Sequence, residues 1–107
     1  MHPRHRVRVA VLWYGRRSQP EPGEICDISA RGLFLVATSA LPDEVGGGDT
    51  VRISVHTDNG EGTLSGMVCW RGYHPQYETI GCGIRFDEES IAVADRLFPI
   101  LRQPAKP

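Results

Sequence analysis

Apolar and polar residues alternate with a period of two along most of this chain, and the period becomes helical only once, near the end. The clearest run is TVRISVH (50–56). Val51, Ile53 and Val55 alternate there with Arg52, Ser54 and His56, which gives a strand one dry face and one wet face. RVAVLWYG (8–15) is rich in β-branched and aromatic residues and stops at a glycine. GLFLVATS (32–39) reads as a buried strand, and EICDIS (24–29) as a short strand or edge segment. TDNGEG carries Asn59-Gly60, a pair suited to the positive φ angles of a two-residue hairpin turn, so TLSGMVCWRG should return as the partner strand. TIGCGIRF (79–86) puts Ile80, Cys82, Ile84 and Phe86 on one side, and Gly81, Gly83 and Arg85 on the other.

After Asp87 the spacing of Ile91, Ala94, Leu97 and Phe98 predicts a helix. Asp87 or Ser90 suits its N-cap, Glu88 and Glu89 suit its positive end, and Pro99 should stop or kink it. RRSQPEPG and ALPDEVGGGD are breaker-rich connections, and RQPAKP is a loose tail. About six strands and one terminal helix predict a small six-stranded antiparallel β-barrel with a C-terminal α-helix, because closure removes exposed strand edges. A sandwich of the same strands is the alternative. The expected organisation is one domain over 1–107, with a flexible basic arm at 1–8, a barrel at 8–86 and a helix at about 88–101.

Composition adds an asymmetry. The net charge of the 107 residues is -1, but residues 1–17 hold Arg4, Arg6, Arg8, Arg16 and Arg17 and no acid. The remainder carries seven basic and thirteen acidic residues. A basic arm on an acidic body suits a small anionic partner or a short anionic segment, while the near-neutral total argues against a general nucleic-acid binder, DNA included. Cys26, Cys69 and Cys82 are odd in number and lack C-x-x-C spacing, so they read as reduced, mostly buried thiols of a cytoplasmic protein. Neither a signal peptide nor a bilayer-spanning segment is expected.

Enzyme chemistry finds no foothold. G-x-S-x-G, H-E-x-x-H and the phosphate-loop pattern are absent, and GGGD (46–49) lacks the lysine and helix such a loop needs. His2, His5, His56 and His74 are scattered without an i, i+4 pair, so neither a metal nor a cofactor is expected. Two motifs remain. Arg4 and Arg8 form R-x-x-x-R, two planar forks able to grip phosphate or the guanine edge. Asp27, Ser29 and Gly32 form D-x-S-x-x-G, whose plain reading is an Asx/Ser turn. Its functional reading uses the carboxylate as acceptor for the guanine N1–H and N2–H₂ edge, the hydroxyl as phosphate donor or loop brace, and the glycine for close approach.

R-x-x-x-R before the first strand, D-x-S-x-x-G leading into a later one, and GCGIRF followed by a helix resemble the PilZ domain family. The resemblance runs from Arg4 to about Leu101. It implies a stand-alone barrel that binds the bacterial second messenger cyclic di-GMP and is not an enzyme. Arg4 and Arg8 would clamp phosphates and guanine edges, while Asp27, Ser29 and Gly32 would hold a guanine against the barrel. Arg6, Arg31, Trp70 and Gly83 are further candidates, although Trp70 reads first as core. Pro3 stands where many relatives that take a stacked ligand dimer have another arginine; Arg6 or Arg31 are the substitutes for it. Ligand binding would order the arginine arm and present a new surface to a downstream protein partner. The alternatives are an adaptor that needs no nucleotide, and a weak single-stranded nucleic-acid binder using Trp13, Tyr14 and Trp70.

Overall fold

A computed structural model describes residues 3–15, 19–38 and 46–102. Arg16 and Arg17, residues 39–45 and the tail from 103 lie outside the described residues. Six strands form a closed antiparallel barrel: β1 (His5–Tyr14), β2 (Glu21–Ile28), β3 (Gly32–Ala37), β4 (Thr50–Thr57), β5 (Gly60–His74) and β6 (Thr79–Phe86), in the order β1-β2-β3-β6-β5-β4. The barrel replaces the sandwich alternative. Two strands begin earlier than the sequence pattern expects. β1 takes in residues 5–7 of the arm expected at 1–8, and β2 takes in Glu21, Pro22 and Gly23 from the expected loop. In both cases inter-strand pairing overrides the local breaker or charge signal, with Arg6 opposite Asp27 and Leu12 opposite Pro22.

The inward residues of all six strands meet in one core that includes Trp13, Ile25, Ile28, Leu33, Leu35, Val51, Ile53, Leu64, Val68, Cys82 and Ile84. Trp13 is fully buried, which removes it from any stacking surface. The β4–β5 turn differs from the expected Asn-Gly geometry. Its two loop residues are Asp58 and Asn59, and the positive φ (120°) falls on Gly60, where β5 begins.

Helix α1 (Glu88–Leu97) packs against β5 and adds Ala94 and Leu97 to the core. Asp87 is its N-cap, accepting from the Ser90 N–H at 3.0 Å. The Ser90 hydroxyl in turn accepts from the Ser65 N–H at 2.7 Å, tying the helix start to β5. The α-helix ends before Pro99, and a short 3-10 turn (Pro99–Arg102) continues in place of the α-helix expected to about residue 101. No helix among the described residues is long and apolar enough to cross a membrane.

Candidate functional site

The site is built from a misfit in the apolar pattern. Ile25 and Ile28 are three apart, yet both point into the core, and a strict period of two cannot do that. The strand resolves the conflict with a register shift between Ile25 and Asp27. The shift turns Asp27 to the outer surface opposite Phe34, while Ile28 returns to the core opposite Leu33. A carboxylate is thereby held on the outside of the barrel while remaining only 5% exposed.

That buried carboxylate is satisfied on both oxygens. Arg4 donates from Nε (2.9 Å) and Nη2 (2.5 Å) to Oδ1, and the Tyr77 hydroxyl donates to Oδ2 at 3.0 Å. The pairing follows from burial, because an unpaired carboxylate there would carry a large desolvation cost. Ser29 and Gly32 form the turn that follows. The Ser29 N–H donates to the Gly32 carbonyl at 2.8 Å, and the Ser29 hydroxyl donates to the same carbonyl and accepts from the Arg31 N–H, both at 3.3 Å. In this state Ser29 braces the loop. Gly32 is needed for a close approach: a Cβ there would lie 2.2 Å from the Ile84 carbonyl oxygen of β6.

An aromatic wall stands beside Asp27. Phe34 points outward yet is only 1% exposed, covered by the rings of Trp70 (5.3 Å), His74 (4.8 Å) and Tyr77 (5.8 Å). Trp70 is 43% exposed on the outer face, which corrects its reading as core. A register shift between Val68 and Trp70 places it opposite Gly83. The indole lies across that glycine so closely that a Cβ would come within 2.1 Å of its Nε1. Tyr77 reaches Asp27 from the β5–β6 connection. Its N–H donates to the His74 carbonyl across a turn with Pro75 in second place, and Glu78 then takes a left-handed φ of 52°.

Arg4, Asp27, Ser29, Arg31, Gly32, Trp70 and Gly83 line one open cavity of about 720 Å³. Arg8 is not among them. It lies with Arg6, Cys26 and Thr79 along a second cavity of about 410 Å³, where its guanidinium pairs with Glu24 at 3.4 Å. Tyr77 lines this second cavity and is bonded to the acid of the first. Arg6 lies over its ring, 5.2 Å from the centroid. The structure thus gathers Arg4 with the D-x-S-x-x-G residues and leaves Arg6 and Arg8 next door.

Sequence reasoning missed Phe34, His74, Tyr77 and Arg85, the first two and the last lining the main cavity. Phe34 was hidden within the apolar run LFLV. Tyr77 left a legible signal, an aromatic residue in a proline-led turn. Burial and the hydrogen bond to Asp27 raise the Tyr77 phenol above its ordinary value, so it remains a donor at neutral pH. Burial also raises the Cys26 and Cys82 thiols. Only Cys82 is buried; Cys26 is half-buried and Cys69 exposed, against the expectation of mostly buried thiols. Among the described residues no group of histidine, cysteine, aspartate and glutamate is arranged to hold a metal ion.

The chain matches the family model described as PilZ domain over residues 1–103. No curated protein matches it.

Proposed function

The chain belongs to the PilZ family, whose domains are receptors for cyclic di-GMP, and on that premise we propose that it is itself a cyclic di-GMP receptor and adaptor. The observation that carries this reading is the convergence of Arg4, Asp27, Ser29 and Gly32 on one open cavity beside Trp70. Each group has a chemical task there. Asp27 accepts the N1–H and N2–H₂ edge of a guanine. The Arg4 guanidinium, half exposed, turns from Asp27 to a phosphate. The Arg8 side chain, 87% exposed and in a long contact with Glu24, reaches over from the adjoining cavity. Trp70 offers a flat face to a base.

Re-seating Arg4 on a ligand first costs its bonds to Asp27. Charge-assisted hydrogen bonds of about 1.5–3 kcal/mol apiece offset this cost. The re-seated arginines and the barrel then form a joint surface for a cytoplasmic protein partner. Binding weakens with added salt, because the phosphate attraction is screened.

Isothermal titration with cyclic di-GMP tests the reading. Heat is expected at micromolar ligand, and Arg8→Ala and Asp27→Ala should each lose at least tenfold in affinity with a native far-UV spectrum. Folded protein that gives no heat at high micromolar ligand refutes it.

One feature favours the adaptor that needs no nucleotide. Tyr73 and Ile80 are cross-strand partners, 60% and 55% exposed, on the β5–β6 hairpin. A pull-down that recovers the same partner with and without cyclic di-GMP would select that reading.

A further inference from the structure

The two motif arginines line two neighbouring cavities. Arg4 shares a cavity with Asp27, and Arg8 lines the neighbouring one. Tyr77 stands between them, lining the second cavity while donating to the acid of the first. Together Arg4 and Tyr77 present the Asp27 carboxylate with N–H donors on one oxygen and an O–H donor on the other. A guanine edge presents a similar pair of donors to a carboxylate. The free protein therefore occupies its own acceptor with groups that imitate the ligand.

We propose that Tyr77 makes an autoinhibitory contact in the ligand site. It holds Asp27 in the free protein and divides the two arginine cavities, and a cyclic dinucleotide must displace it from Asp27 for Arg4 and Arg8 to act on one ligand. The inference rests on the receptor reading above. The segment is built for such a movement. Tyr77 sits in a four-residue connection (75–78) between two strand ends, with the left-handed Glu78 immediately after it. Its ring packs on Phe34 and His74, and Arg6 lies over it and hydrogen-bonds its hydroxyl, so every contact that holds it is non-covalent. The phenol stays protonated at neutral pH, so it remains a donor with which another donor can compete.

Tyr77→Phe isolates the hydroxyl, since the ring keeps its place on Phe34 and His74. Removing a donor that competes with the ligand should tighten cyclic di-GMP binding about tenfold, the scale of one hydrogen bond to a charged group. A residue that merely supported the site would give the opposite sign. In a second measurement, the wild type is labelled with ¹³C on its tyrosine rings, and the Tyr77 resonance is identified by its loss in Tyr77→Phe. Saturating cyclic di-GMP should shift that resonance.

Tighter binding and a shifted resonance support the inference. Wild-type binding with equal or weaker affinity in Tyr77→Phe, or an unmoved Tyr77 signal at saturation, overturns it and leaves the receptor reading intact. No binding by the folded wild type refutes the receptor reading and takes this inference with it.

Discussion

Replacing Gly32 with alanine should damage the fold before it damages ligand recognition. The added Cβ would sit 2.2 Å from the Ile84 carbonyl oxygen, 3.2 Å from the Ile84 carbonyl carbon and 3.4 Å from the Arg85 Cα. Ordinary contact begins near 3.4 Å, so β3 and β6 must separate by about 1 Å at their paired ends. No flexible side chain is available to yield, because every one of these atoms is backbone. The Gly32–Arg85 pairing and the Phe86 N–H to Arg31 carbonyl bond (2.8 Å) lie directly in the path.

Overpacking of this kind costs about 1–3 kcal/mol, and backbone on both sides puts Gly32→Ala at the upper end, about 3 kcal/mol. A domain of this size has about 5–15 kcal/mol in total, so the variant remains folded at 25 °C. Urea unfolding followed by tryptophan fluorescence is the assay. With a slope of about 1–3 kcal/mol/M, the midpoint should fall by at least about 1 M. Gly47→Ala is the control, since nothing lies within 4 Å of a Cβ there, and its midpoint should stay put. An unchanged midpoint in Gly32→Ala together with lost cyclic di-GMP binding would refute the reasoning, placing the glycine in the motif for the ligand's sake.

Other outcomes follow from contacts already described. Asp87→Ala removes the α1 N-cap and should cost about 1 kcal/mol, read as a thermal midpoint lower by about 4 °C. Stability should fall at alkaline pH. Cys82, Cys26 and Tyr77 all hold their protons more tightly when folded, so the stability they contribute is present below the ordinary thiol value of 9.0 and is lost as pH rises beyond it and then past 10.0. Denaturant titrations between pH 8 and 11 should show this slope, and it should be shallower in Cys82→Ala; equal slopes would remove the thiol from the explanation.

The barrel was legible because its strands alternate cleanly and only one helical stretch interrupts them. Val51, Ile53 and Val55 predicted β4 from spacing alone. Where spacing failed, pairing had decided. Pro22 lies inside β2, which local chemistry disfavours, because Leu12 on β1 supplies its partner. Arg6 lies in a strand because it sits opposite Asp27. The D-x-S-x-x-G and first-arginine parts of the site were legible as motifs. The aromatic wall was not, since Phe34, Trp70 and His74 come from two strands and meet only once a register shift after Val68 turns Trp70 outward. Sequence distance hides such a meeting, and a large aromatic in a strand ordinarily belongs to the interior.

The closure of the barrel has a last consequence. Among the described residues, β4 pairs with β1 only at Leu12, Trp13 and Tyr14. Among the described residues, the stretch from His5 to Val11 is flanked by β2 on one side and paired with no strand on the other, the kind of seam along which molecules zip together into aggregates. Arg6 and Arg8 fall on that stretch and Arg4 just ahead of it, a fence of like charge that repels a second copy. A variant neutralised at these guanidinium groups is therefore expected to clump, and light scattering should be run before any change in its binding is blamed on lost contacts.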